Sequence, residues 1–255
     1  MSSSVTLRLA FALALLAGTR LAAQSALSIA AAANFIPVLG PLDAAFEATA
    51  PGTTVTPSAG ASGSLYAQIA NGAPFDVFLS ADLEFPRKLA QSGFAVGTSL
   101  TPFATGRLVL WTTLPGRDPV TIVGLLSNPR VHRVAIANPQ TAPYGKAAKQ
   151  ALERLGLYAA LAPRLVTGEN ISQTAQFVDT GNAQAGFVAL SLVLSPGMKD
   201  RGRWVEVPAG LYAPLVHAAI LTNRGAANPE ARRYLLFLGS PAARAILARF
   251  GYGTP

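Results

Sequence analysis

Four places in the chain set small, neutral hydrogen-bond donors where an extended run gives way to a helical one. They are Ala32-Ala33-Asn34, Gly60 to Ser64, Thr141 to Gly145, and Gly168 to Ile171. Asn34 can cap the first helix with its side chain, with the Ala33 N–H beside it, and Ser62 and Ser64 offer hydroxyls that can turn to donate. Pro143 suits a first helical position, which leaves the Tyr144 amide and its phenol as donors. Asn170 and Gln173 match a capping box, placing the Ile171 amide in a first turn. Helix N-termini carry unpaired N–H groups and a partial positive charge, so they favour anions. A single such junction is only a cap, and Ser is among the best capping residues. Four together suit a small dehydrated dianion, because bonds to an oxyanion are short and strong and need no buried flexible cation. Lys146 reads as solvated, and Glu169 as a helix N-terminal acid facing water.

The elements that must hold these donors alternate between β-type and helical patterns. ALSIAAA (26–32), TTVTPSA (53–59), FDVFLSAD (75–82), RLVLWTT (107–113), HRVAIAN (132–138) and AGFVALSLV (185–193) read as extended. Helices are expected through Val38, Leu39, Leu42 and Phe46, from Ser64, over EFPRKLAQSG, near 119–127, over AAKQALERLG and from near Asn170. RWVEVP and LVHAAILTN follow as extended segments, and PEARRYLLFLGS and PAARAILARFG close the chain as helices. Pro41 predicts a kink or a late start in the first helix. This βαβ alternation predicts an α/β architecture with mostly parallel sheets, whose ligands sit at the carboxyl ends of the strands. The four junctions are such ends.

Composition narrows the function classes. Hydrophobic residues make up 51% and charged residues 13% of the 255, enough for a substantial core. Arg8, the apolar run of residues 9–19, Arg20 and a small-residue exit read as a secretory signal over residues 1–23. Its removal lowers Lys plus Arg from 20 to 18 against 12 acids, a net charge of +6. The mature chain is then expected to be soluble and exported. The cations are scattered and lack the interleaved aromatics of a nucleic-acid groove, so no nucleic-acid partner is expected. With no Cys in the sequence, no disulfide, thiolate metal site, Cys nucleophile or N-terminal lipid anchor is expected. His132 and His217 both read as structural.

Catalytic patterns are weak. GASGS fails the Gly-x-Ser-x-Gly nucleophile pattern at Ser64, and Lys146 lacks P-loop spacing. Asp76 and Asp82 read as a strand start and a cap rather than a catalytic pair. The chain is read as a binding protein and not an enzyme. An exported enzyme on the same scaffold is the alternative of a different class.

The order AAAANF, GASGSLYAQIANGAPFDVFLSAD, NPQTAPYGKAAKQALERLG, TGENISQTAQFVDTGNAQAGFVALS and FLGSPAARAILARFGY resembles the periplasmic molybdate-binding proteins of ABC importers. The likeness runs from about Leu27 to Tyr252, and TAPYGKAA and GENISQ are its more specific parts. It implies a type II periplasmic binding fold, with one lobe from 25–104 plus 213–255 and a second from 105–212, closing on a tetrahedral oxyanion. It implies oxyanion donors at Asn34, Ser62, Tyr144 and Ile171, with Ala33, Ser64 and Ala189 as further positions. Some members carry a phenol donor where this chain has Ala189, and Tyr144 is the residue placed to supply a phenol instead. The likeness further implies molybdate or tungstate as ligand, with no cofactor and molybdenum bound only as its oxyanion. It implies a membrane permease as partner, a monomer and a periplasmic location. Another anion (sulfate, phosphate or a small carboxylate) is the alternative within the fold. For a carboxylate, Arg107 or Arg164 is expected to point into the cleft as a bidentate clamp.

Overall fold

The computed structural model describes residues 25–116 and 119–255. The secretory signal expected over 1–23 lies outside the described residues. Among the described residues, ten strands form two five-stranded mixed sheets. The first runs β2-β1-β3-β10-β4, from β1 (Ser25–Ala32), β2 (Thr53–Gly60), β3 (Val77–Ser80), β4 (Thr101–Gly106) and β10 (Leu215–Leu221). The second runs β7-β6-β8-β5-β9, from β5 (Leu108–Thr112), β6 (Val134–Ala137), β7 (Leu165–Gly168), β8 (Ala185–Ala189) and β9 (Arg203–Glu206).

Register explains how the junctions converge. β1 is parallel to β2 with Ala32 opposite Gly60, and parallel to β3 with Ala31 opposite Leu79. Three carboxyl ends therefore finish level on one edge of the first sheet. In the second sheet β6 is parallel to β7 with Ala137 opposite Gly168. One antiparallel strand enters each parallel set, β10 against β3 and β5 against β8. The chain passes between sheets from β4 to β5 through Arg107, and returns between β9 and β10.

Helices follow the strand ends. α1 (Ile36–Glu47) and α2 (Ser62–Ala70) follow β1 and β2, and α3 (Glu84–Gln91) follows β3. α4 (Ile122–Leu126), α5 (Pro143–Arg154), α6 (Tyr158–Leu161) and α7 (Ile171–Asp179) belong to the second half, with α8 (Leu190–Val193) after β8. α9 (Pro229–Leu238) and α10 (Pro241–Arg249) end the chain, and α10 packs on α1. Period-2 alternation in β1 is plain: Leu27, Ile29 and Ala31 join a core running through both lobes, while Ala30 faces a smaller cluster with Leu65, Phe78 and Leu89.

Two expectations about elements are corrected, and one unassigned segment is placed. α1 starts at Ile36 and runs through Pro41, with Pro37 in its first turn, so the start is not late. The extended run expected over 185–193 is a strand only to Ala189, and Leu190–Val193 is a helical turn. TPFATG, assigned to no element from sequence, is the whole of β4 and carries the first sheet on to Gly106, beyond the lobe boundary expected at 104.

Candidate functional site

The four junctions meet. Ala32, Ala33, Asn34, Gly60, Ala61, Ser62 and Ala81 from the first lobe and Ala142, Pro143, Tyr144 and Ile171 from the second line one small cavity, with about 190 Å³ of empty space. Its polar groups are neutral, and among the described residues no Lys, Arg, Asp or Glu lines it. Larger surface hollows lie nearby, one of them lined by Asp82, Glu84, Asn138 and Lys146 beside the entrance.

Each corner is built by local chain chemistry. α2 has Ala61 as its N-cap with no side-chain cap bond, so Ser62 does not cap its own helix. Its Oγ instead accepts from the Ala81 amide at 3.0 Å, and it is fully buried. With the oxygen held in this way, the hydroxyl hydrogen is available as a directed donor. α5 begins with Pro143, which leaves the Tyr144 amide in the first turn without an intrahelical acceptor. A Cβ on Gly145 would collide with the Ala137 carbonyl, so only Gly lets α5 start this close to β6. At α7 the Asn170 carboxamide accepts from both Ser172 and Gln173 amides, each at 3.0 Å. The capped amides are those of the second and third positions, which leaves the Ile171 N–H as the free first-turn donor. Gln173 reaches back to the Glu169 amide at 2.6 Å, one residue earlier than the expected capping box.

Asn34 departs from expectation. It lies inside a short 3-10 turn, Ala33–Phe35, and caps no helix with its side chain. Its Nδ2 donates to the Tyr252 hydroxyl at 2.9 Å and lies 3.1 Å from His217 Nε2. Its Oδ1 is buried without a hydrogen-bond partner among the described residues. Burial holds His217 neutral, its pKa pulled down to about 3, and the Ala104 backbone offsets this in part. Phe35, Tyr252 and Tyr144 surround the imidazole, with ring centroids 5.1, 5.4 and 6.0 Å away.

Two further expected positions lie outside the cavity lining. Ser64 is exposed, because two helical steps turn it about 200° from Ser62. Ala189 is buried at the end of β8 opposite Leu108 and does not line the cavity. The Tyr144 phenol oxygen packs against Gly106, where a Cβ would strike it, and against His217. This phenol sits at the crossover at the end of β4, and the same residue lines the cavity. The remaining polar assignments fall as read. Asp82 accepts from the Phe85 amide at 3.1 Å, Glu169 is exposed, and Asp76 accepts from Ser28 N–H at 2.9 Å and from Arg224 at 3.1 Å. Arg107 is paired with Glu206, and Arg164 donates to the Leu126 and Val131 carbonyls, so neither forms a clamp at the cavity.

Sequence reading missed the contacts that join the halves. Gly63 N–H donates to the Thr141 carbonyl at 2.8 Å, and Lys146 meets Glu84 at 2.8 Å. It also missed His217, Tyr252 and Ser191 behind Asn34. These residues stand more than 150 positions away from it in the chain, and no spacing rule connects them.

Two α/β lobes joined by crossovers, with a cavity of neutral polar groups at the facing strand ends, define a two-lobe solute-binding protein. Known proteins agree. The model of the family described as bacterial extracellular solute-binding protein matches residues 27–253. The molybdate-binding protein ModA of Rhodobacter capsulatus is 45% identical over 246 residues, covering 96% of this chain and 95% of that protein. ModA of Azotobacter vinelandii is 43% identical over 233 residues, 91% of this chain and 92% of that protein. The solved structure of the Azotobacter vinelandii periplasmic molybdate-binding protein superposes with a TM-score of 0.83 at 38% identity, covering 90% of this chain and 99% of that one. The chain belongs to the bacterial extracellular solute-binding protein family, and within it to the family of the molybdate-binding proteins.

Proposed function

We propose that this protein captures molybdate outside the cytoplasm and hands it to the membrane permease of an ABC importer. The observation that carries the reading is the cavity, where Ser62 from one lobe and the Tyr144 and Ile171 amides from the other converge with no formal charge. Such a shell suits a dianion, because many fixed dipoles meet the charge without burying cations. Relatives more than 40% identical carry the name of molybdate-binding proteins. Tungstate, of the same shape and charge, is a second ligand of the same shell. The lobes, dividing at Arg107 between β4 and β5 and near 212/213 between β9 and β10, open and close about the crossovers, and each brings half of the donors. Sulfate is rejected by size, since a rigid shell built for the larger ion underbonds a smaller one. Protonated phosphate lacks an acceptor among hydroxyl and amide donors. The Arg107 and Arg164 pairings count against a carboxylate clamp. Among the described residues no helix is long and apolar enough to cross a membrane.

Isothermal titration of the mature protein with molybdate, tungstate, sulfate and phosphate tests this. Tight binding of the first two, with no heat from the others, is the expected result. Silence toward molybdate in folded, ligand-free protein contradicts it.

A further inference from the structure

Asn34 belongs to a buried network that the donor corners do not explain. Both hydrogens of its amide are committed. Nδ2 donates to the Tyr252 oxygen at 2.9 Å, since the hydroxyl hydrogen of Tyr252 goes to the Asn34 main-chain carbonyl at 2.7 Å. The other amide hydrogen faces His217 Nε2 at 3.1 Å, which requires that nitrogen to accept and the imidazole proton to sit on Nδ1. In this arrangement Asn34 Oδ1 is buried without a hydrogen-bond partner among the described residues. An orphaned buried acceptor is costly, and an acceptor oxygen next to an oxyanion is repelled by it. Asn34 nonetheless lines the cavity.

Half a turn of the amide resolves this conflict. Oδ1 then faces Tyr252 and His217, and Nδ2 takes the place that Oδ1 now holds. The Tyr252 hydroxyl swings its hydrogen to Oδ1, while the Asn34 carbonyl keeps the Ser191 hydroxyl bond at 2.8 Å. His217 donates to Oδ1 from Nε2. The ring stays neutral, because one proton leaves Nδ1 and one arrives at Nε2, exchanged with water while the cleft is open.

We propose that oxyanion binding is coupled to this rotation of the Asn34 amide, with His217 as the positioning residue that follows it by moving its proton from Nδ1 to Nε2. The proposal rests on the oxyanion reading above and adds a residue to its machinery. It predicts that the cavity gains a side-chain donor only when the imidazole takes the second tautomer.

The test is nitrogen NMR of protein labelled at histidine, recorded near neutral pH before and after molybdate is added. The chain has two histidines, and His132 is exposed, so a His132→Gln variant assigns the signals. A change of His217 from the Nδ1–H to the Nε2–H pattern on binding is expected. One tautomer in both samples, with molybdate binding seen by calorimetry, overturns the coupling and leaves the oxyanion reading standing. No molybdate binding by calorimetry overturns that reading and this proposal together. A second arm compares affinities. His217→Phe, with no ring nitrogen, is expected to weaken molybdate binding about ten- to a hundredfold. His217→Gln, which can donate or accept, is expected to recover it to within about fivefold. Equal losses in two folded variants contradict the proposal.

Discussion

The Gly63 amide at the start of α2 donates to the Thr141 carbonyl across the cleft at 2.8 Å, so backbone from the two lobes is in direct contact beside the cavity. A Cβ at Gly63 would stand 2.8 Å from the Phe85 ring edge and 2.9 Å from Thr141 Cα. Phe85 belongs to the same lobe and its ring edge can give way, whereas Thr141 is backbone of the other lobe, so Gly63→Ala opposes closure more than it disturbs either lobe. Overpacking of this kind costs about 1–3 kcal/mol, or roughly five- to a hundredfold in affinity. Calorimetry should give that loss, while the melting temperature of the ligand-free protein stays within a few degrees of the parent. An unchanged affinity would mean that the contact is not kept in the ligand-bound form.

Ser62→Ala removes a buried hydroxyl and also leaves the Ala81 amide without its acceptor. Loss of a hydrogen bond to a charged ligand costs about 1.5–3 kcal/mol. Molybdate affinity should fall about ten- to a hundredfold, and Ser62→Thr should keep part of it. Parent-like affinity in the Ala variant would remove Ser62 from the site.

Glu84 joins the lobes at the entrance. Lys146 at 2.8 Å and then Lys88 at 2.7 Å hold its carboxylate down at about 2, well below the usual range. All three side chains are substantially exposed, so solvent screens the pair and its worth is small. Glu84→Gln should change molybdate affinity by no more than about threefold, with the difference vanishing at high salt. A tenfold loss that persists in 1 M salt would make this bridge a principal closing contact instead.

Two buried groups act against each other in acid. Burial keeps His217 neutral down to about 3, whereas an unfolded histidine takes a proton near 6.5. Stability from this group is therefore full above about 6.5 and falls as pH drops toward 3. Burial first, with Glu47 adding to it, raises Asp43 to about 6, against the opposing hydrogen bond from Tyr234 at 2.9 Å. An unfolded aspartate titrates near 3.9, so Asp43 contributes stability as pH falls from about 6 to 4 and withdraws it as pH rises. Between 6 and 4 the two slopes, each about 1.4 kcal/mol per pH unit at most, oppose each other. Asp43→Asn should be more stable than the parent at pH 8 by about 1–3 kcal/mol and should lose stability more steeply below pH 6. Denaturant melts at pH 8, 6 and 4.5 check both signs, and parallel curves for parent and variant would contradict the assignment.

How much was legible in the sequence depended on whether the governing interaction was local. Alternating apolar runs and helix starts gave the βαβ order, and three of the four junctions carried side chains or prolines whose local role is readable. β4 went unassigned because TPFATG carries a Pro and a Gly that resemble loop punctuation, while its pairing partner β10 lies more than a hundred residues away. The helical turn of α8 hid in an apolar run, where periodicity does not separate strand from buried helix. Ser64 was grouped with Ser62 by proximity in sequence, although the helical turn places it on the opposite side. The direction of the Asn34 amide was beyond reach, because it is set by His217 and Tyr252, which only the closed fold brings to it.

The central claim is that one oxyanion sits between the lobes on donors from both. Crystals grown with molybdate and measured across the molybdenum absorption edge test it directly. The account predicts a single anomalous peak inside the cavity, within hydrogen-bonding reach of Ser62 Oγ and the Tyr144 and Ile171 amides. A peak confined to the surface beside Lys146 and Lys149, or none at all at saturating molybdate, would contradict it.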